Sequence, residues 1–365
     1  RAYDTVRLRF VALKKLRLRD IRVLPPALLR ELSALRRVDH PNVMHLLDCH
    51  TKGCNLMLVL PFVPQSLADV LSQLESPLRE AHVQQYARML LQGLAAMHAE
   101  RLLHRDIKPH NLLITSGGTL QIADMGQARL RPEDEQRSLS HAVATRWYRA
   151  PELLLGARHY SAAVDVWAAG CVIAQLVTLS PLFPGESDID QLFRVIGLLG
   201  SPHAASVWPG VEALPDFHKI SIPDCPPTPL RVALPAASRP LLRLLQQMLY
   251  YDPERRPTAR RALDHDWLLR PHPSAHVHLP PTHVARVVRQ AAARGVGRSG
   301  GTRGASAQGG APGNAARRSG VHYPAVGCVH VSAQPSSAGL VRDELYRMRV
   351  LRSSVRRYGI RETSV

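Results

Sequence analysis

Apolar positions fall into short runs early in the chain and into long runs later. Val6 to Lys14, VRLRFVALK, alternates and predicts a strand with Val6, Leu8, Phe10, Ala12 and Lys14 on one face. PALLRELSALRR, Pro26 to Arg37, places Leu28, Leu32 and Leu35 at helical spacing, with proline near the start, where a missing N–H costs little. NLMLVLPF reads as a buried strand. From Leu67 the pattern turns helical, through SLADVLSQLE and then EAHVQQYARMLLQGLAAMHAE. VDVWAAGCVIAQLVTL is apolar all round and predicts a buried helix. PLLRLLQQMLYYDPERRPTARRALDHDWLL predicts two further helices separated by Asp-Pro. Strands first and helices later indicate an α+β chain with a small mixed lobe and a larger helical lobe, not a repeated βα unit.

Composition changes this picture mainly at the end of the chain. Residues 291–320 are Gly, Ala, Ser and Arg with almost no large apolar side chains, which reads as a linker or a disordered segment. DELYRMRVLRSSVRRYG then sets Leu345, Met348, Leu351 and Val355 at helical spacing among arginines. It reads as a short basic docking helix or as a marginal helix without a role. The net charge is +18, and residues 281–365 hold 14 Arg against 3 acids. Arg outnumbers Lys 42 to 5, so coding bias competes with a basic tail for nucleic acid, membrane or an acidic partner. That tail has no aromatic interleaving of the kind that stacks bases, which speaks against nucleic acid. Five scattered cysteines with no CxxC pair argue against a zinc site or disulfide framework and for a reducing compartment. No apolar run approaches the roughly 20 residues that span a bilayer.

The chemistry concentrates in two stretches. HRDIKPHNLLI supplies His104, Arg105, Asp106, Lys108 and Asn111, and Asp124 of IADMGQARL follows 18 residues after Asp106. Phosphoryl transfer from a nucleotide needs a metal held by hard oxygens, a carboxylate to orient the attacking hydroxyl and take its proton, and a cation on the phosphates. Asp124 and Asn111 are the candidate metal ligands, Asp106 the base, Lys108 the neutraliser of the moving group, and Lys14 the remaining cation. Each triplet alone is a weak signal. Together, VALK, HRDxKxxxN, DxG and Ala150-Pro151-Glu152 occur in order at sensible spacings, which makes the signal specific.

Over roughly residues 1–270 the chain resembles Ser/Thr protein kinases. VATRWYRAPELLLGARHY, SPLFPGESDIDQLFRVIGLLGSP and LPDFHKISIP narrow the resemblance to cyclin-dependent kinases and their cell cycle-related branch. MAP kinases share TRWYRAPE but carry Thr-x-Tyr in the preceding loop, and RSLSHAVAT does not. The resemblance implies the bilobal kinase fold, with residues 1–62 a partial N-lobe, 63–270 the C-lobe, 271–340 a low-complexity linker and 341–365 a basic tail. It implies ATP and Mg2+ as cofactors. Lys14 would contact the phosphates and pair with Glu31, Phe62 and Val63 would form the hinge on adenine, Ala12 would pack on the base, and Leu60 would back the pocket. Pro61 lacks an N–H, but the family uses only the carbonyl there. Thr145 would bridge Asp106 and Lys108, Glu152 would pair with Arg256, and Asp165 would brace the catalytic loop. Met125 stands where the family has Phe, and a flexible apolar side chain fills such a slot.

The same resemblance implies control. Ser140 lies five residues before Thr145, where these kinases carry the activating phosphoacceptor, with Ser138 nearby. Arg30, Arg105 and Arg129 would form the phosphate-binding cluster, since a phosphate brings three acceptor oxygens to arginine forks. An upstream kinase for Ser140, a cyclin-like activator on the Pro26–Arg37 helix and Ser/Thr-Pro protein substrates follow as partners, and cytoplasm or nucleus, with cell-cycle or ciliary roles, as the setting. The helix start PPALLRE diverges from the best-known members while its Arg-Glu end stays. One departure is larger: the 13 residues before Lys14 contain no Gly, where the family has a Gly-rich loop over the phosphates. The reading of that departure is a fragment whose loop lies upstream of Arg1. The alternative is a catalytically weak pseudokinase scaffold that binds a cyclin-like partner.

Overall fold

The computed structural model describes residues 1–18, 24–131, 139–140, 143–203 and 206–270, and the backbone of 360–362. All of these belong to one compact unit. The linker and the docking-helix segment expected between residues 271 and 359 lie outside the described residues, as do Ser138 and Cys328.

The first lobe is a sheet with one helix. β1 (Ala2–Asp4) and β2 (Arg9–Arg17) form a hairpin, and β3 (Asp48–Lys52) and β4 (Asn55–Pro61) form another, with α1 (Pro26–Arg37) between them in sequence. The strand expected from Val6 is corrected here: residues 5–8 are a turn, and Val6 and Leu8 are exposed. The cause is local. Asp4 Oδ1 accepts from Val6 N at 3.1 Å and Arg7 N at 3.0 Å, an aspartate turn that outcompetes the alternation. The buried face therefore starts at Val11, against Ala2 and Val59. Pairing of β2 with β4 sets Ala12 opposite Leu60 and Lys14 opposite Leu58, so the cation ends up inside the cleft. α1 turns Leu28, Leu32 and Leu35 inward together with Glu31.

β5 (Gln65–Ser66) leads into α2 (Leu67–Ser72), whose start is fixed by a capping box: Ser66 accepts from Asp69 N while Asp69 accepts from Ser66 N. α3 (Glu80–Ala99) follows, then four short strands: β6 (Leu102–Leu103), β7 (Leu112–Ile114), β8 (Leu120–Ile122) and β9 (Arg129–Leu130). α3 lies close on this layer at Gly93, where a Cβ would come within 2.8 Å of both Asn42 O and Ile122 Cδ1. α4 (Pro151–Leu154) and α5 (Ala163–Thr178) come next, and every residue of α5 except Thr178 is buried. α6 (Asp188–Leu199) lies on α4 and on α7 (Leu230–Ala233), α8 (Arg239–Met248) packs on α5, α9 (Ala259–Leu263) on α3, and α10 (Asp266–Leu269) on α8 and α3. The last expected helix splits at His265, which caps α10 by accepting from Trp267 N. From the tail, β10 (Ile360–Glu362) runs antiparallel to β1. Among the described residues no helix is long and apolar enough to cross a membrane.

Candidate active site

Leu103 pairs with Arg129 across β6 and β9, which brings the 104–111 loop beside the turn that follows Asp124. The loop is mounted on α5 by one fully buried carboxylate. Asp165 accepts from His104 N at 2.9 Å, from Arg105 N at 2.8 Å and from His98 Nε2 at 2.9 Å. Burial alone would push the Asp165 carboxyl up; the His98 hydrogen bond and the other donors hold it below its ordinary value. Asp106 N donates to His104 Nδ1 at 3.2 Å, so His104 is the neutral tautomer whose Nε2–H meets Ala123 O at 3.0 Å. Arg105, Asp124 and Ala144 are non-glycine residues with left-handed φ of 68°, 62° and 66°, and all three bound this site.

Asp106 is buried and fully engaged. Its Oδ1 accepts from Thr145 N at 2.9 Å and Thr145 Oγ1 at 3.0 Å. Its Oδ2 accepts from Asn111 Nδ2 at 2.9 Å and faces Lys108 Nζ at 2.8 Å. Lys108 also donates to Thr145 Oγ1 at 2.7 Å. Both Asn111 amide hydrogens thus go to Asp106, one to its side chain and one to its carbonyl. Among the described residues nothing donates to Asn111 Oδ1, which leaves a neutral hard oxygen for a cation.

Across the cleft Lys14 Nζ lies 2.7 Å from Glu31 and 3.4 Å from Asp124. Burial would lower the Lys14 pKa, but Glu31, with Asp124 behind it, raises it above its ordinary value. Asp124 keeps half of its side chain exposed to the cleft. Met125 is fully buried in the turn against α1. The donor set fits Mg2+ with a nucleotide: one carboxylate, one amide oxygen and one ammonium, with the other oxygens to come from phosphates and water. No cluster of three or more His, Cys, Asp or Glu that could hold a metal occurs among the described residues. At the cleft's far edge β4 ends at Pro61, and Phe62 packs edge-on to Phe10 with 6.3 Å between ring centres. Ala12, Leu60 and Val63 line the same strand ends and are half-buried.

A second cleft of about 390 Å³ opens behind the catalytic loop, lined by Arg30, Arg105, Arg129 and Ser140 among others. The three guanidiniums are close enough to disturb one another. Burial, then the charges of Arg30 and Arg105, pushes Arg129 down to about 10. Burial and Arg105 lower Arg30 in the same direction. The sequence-predicted cluster is therefore brought together around Ser140.

Sequence reasoning assigned no role to Arg146, Trp147 or Arg149 in the loop that follows. Arg149 Nε donates to Val143 O at 2.8 Å and its NH2 to Ala144 O at 2.9 Å. Its NH1 meets both oxygens of Asp188 at 3.0 and 2.9 Å. Arg146 also reaches Asp188, at 3.0 Å, and Trp147 Nε1 reaches Gly185 O at 3.1 Å. Gly185 has no room for a side chain, since a Cβ would fall 2.5 Å from Gln191 Cα. Arg149 stood inside the TRWYRAPE string, but only the geometry shows which carbonyls it takes. Further on, Glu152 and Arg256 form a buried bidentate pair at 2.7 and 2.8 Å.

The carboxylate, amide and ammonium groups of this cleft are those of a phosphotransferase, and the chain's resemblances agree. A protein kinase domain model matches residues 1–268, and the chain belongs to the protein kinase family. Within that family it is of the cyclin-dependent type. It is 46% identical to Cyclin-dependent kinase 20 of Rattus norvegicus over 270 residues, 72% of this chain and 78% of that protein. Against the Danio rerio protein of the same name the identity is 44% over 273 residues, 74% and 79% of the two chains. Against that of Homo sapiens it is 45% over 270 residues, 72% and 78%.

Proposed function

We propose that this chain is a Ser/Thr kinase that transfers the ATP γ-phosphoryl group, with Mg2+, to Ser/Thr-Pro sites in proteins. The observation that carries the reading is Lys14 held at once by Glu31 and Asp124, opposite an Asp106 bonded to Thr145, Asn111 and Lys108. MgATP, when bound, supplies the transferable group and the cation; Asp124 and Asn111 would hold the metal and Lys14 the phosphates. Asp106 orients the substrate hydroxyl and takes its proton as that oxygen bonds phosphorus and the bond to the ADP oxygen breaks. Lys108 offsets the charge on the moving group, and Thr145 keeps it beside Asp106. Ala12, Leu60, Phe62 and Val63 would receive the adenine.

Proline direction is supported by Arg149. Its guanidinium already bonds the carbonyls of Val143 and Ala144, just before the Thr145 that bonds Asp106, and so competes for them with the N–H of the residue after the phosphoacceptor. Proline has no N–H to strand; another residue leaves a desolvated donor, at about 1–3 kcal/mol. Control by phosphate on Ser140 is supported by three crowded guanidiniums that an anion would relieve. A cyclin-like activator would act on α1, because that helix carries both Glu31 and Arg30.

The test is phosphate transfer by the full chain to Ser-Pro and Ser-Ala peptides, beside Asp106→Asn and Asp124→Ala. Transfer that is lost in both variants and prefers Ser-Pro is expected. Equal transfer in all three proteins would sink the catalytic assignment, and transfer by none of them would leave a binding scaffold. Equal use of the two peptides would remove only the proline reading.

A further inference from the structure

Leu139 and Ser140 are held against the loop before α5 by two hydrogen bonds. Leu139 N donates to Arg158 O at 2.7 Å, and the Tyr160 phenol donates to Ser140 O at 2.6 Å. The same phenol oxygen accepts from Arg105 NH1 at 2.7 Å. Arg105 Nε in turn donates to Gln127 O at 2.8 Å, in the turn after Asp124. One unbroken chain therefore runs from the metal-side turn, through Arg105 and Tyr160, to the backbone of Ser140. Arg105 is gripped twice from the same segment, at its backbone by Asp165 and at its guanidinium by Tyr160.

The bonding pattern is the one a phosphate would create, made without one. An anion on Ser140 would accept from Arg105 and tie the segment to the cleft. The phenol accepts from Arg105 and ties the segment by donating to its carbonyl. Both bonds at once require a neutral phenol, and burial raises the Tyr160 pKa above its ordinary value. The Ser140 side chain is left out of the arrangement, and the residue is exposed.

We propose that Tyr160 is a positioning residue for phosphoryl transfer, whose phenol docks the activation segment at the arginine cleft while Ser140 carries no phosphate. This holds Leu139 and Ser140 in place in the unphosphorylated chain and supports a basal rate, and it lowers the ordering cost that phosphorylation must meet. The second arm of the test below rests on the phosphosite reading of Ser140; the first does not.

The experiment compares full-length wild type with Tyr160→Phe, both phosphate-free by intact mass. In the first arm, hydrogen exchange at Leu139 and its neighbours speeds up about tenfold in Tyr160→Phe, the loss expected for one charge-assisted hydrogen bond, while α5 and α8 keep their protection. Unchanged exchange at Leu139 overturns the proposal. In the second arm, kcat/KM for a Ser-Pro peptide falls about tenfold in unphosphorylated Tyr160→Phe and less than about twofold once Ser140 is phosphorylated. Equal losses in both states make Tyr160 a plain support and overturn the proposal. A wild type indifferent to Ser140 phosphorylation overturns the phosphosite reading, while the exchange arm still decides the role of Tyr160.

Discussion

Replacing Arg256 by Met should cost a large part of the stability of the large lobe, and the structure says how much. Arg256 is fully buried and pairs with Glu152, itself only 4% exposed. Its remaining donors serve Tyr250 O at 2.7 Å, Tyr251 O at 2.8 Å and Ala163 O at 3.2 Å, and its guanidinium lies 5.0 Å from the centre of the Trp167 ring. Arg256→Met strands a buried carboxylate, at about 3–5 kcal/mol. It also takes donors from three carbonyls, at about 1 kcal/mol each after relaxation. The sum, about 6–8 kcal/mol, reaches the lower part of the range that holds a domain together. Glu152→Leu with Arg256→Met removes the stranded charge but not the orphaned carbonyls. The double variant should regain about half of the loss and stay below wild type. Urea unfolding of wild type, both single variants and the double variant, with unchanged m, measures each term. A cost under about 1 kcal/mol for Arg256→Met, or a double variant as stable as wild type, would refute the reasoning.

Other outcomes follow from the same geometry. Thr145→Val removes the hydroxyl between Lys108 and Asp106 and should lower kcat about 10- to 100-fold with little change in KM for ATP, while Thr145→Ser restores it; steady-state peptide kinetics decide, and a fully active Thr145→Val would contradict the bridge. Inorganic sulfate should raise the thermal midpoint of wild type by filling the arginine cleft and should do less for Arg129→Ala, as read by scanning calorimetry. The Asp165 carboxyl is held below its ordinary value, so its contribution is complete above about pH 4 and is lost as pH falls through the depressed value. The stability gap between wild type and Asp165→Asn should therefore stay level at higher pH and close below about pH 4 in acid titrations followed by fluorescence.

What the sequence made legible is what local pattern and motif can carry. Pro26–Arg37 was readable to its ends, because Leu28, Leu32 and Leu35 keep helical spacing. The apolar helix around Trp167 was readable because only Asp165 and Gln175 interrupt the apolar run from Ala163 to Val177. Val6 to Leu8 was misread because one aspartate oxygen, not periodicity, decides the path there. The stretch before Trp267 was misread as one helix because a histidine cap breaks it. In the active site the residue types were legible and their partners were not. Asp188 meets Arg149 from 39 residues away, and Tyr160 meets Ser140 from 20. Both contacts depend on how loops fold back on α5 and α6, which no spacing in the chain encodes.

Asp165 places the catalytic loop on a helix that has almost no surface. A binding partner has no handle on such a helix, and a charged substitution in it has nowhere to go. On the proposed reading Asp106 is thus a fixed anvil, and control would act on the hammer side, where Arg30 of α1 and Ser140 stand exposed.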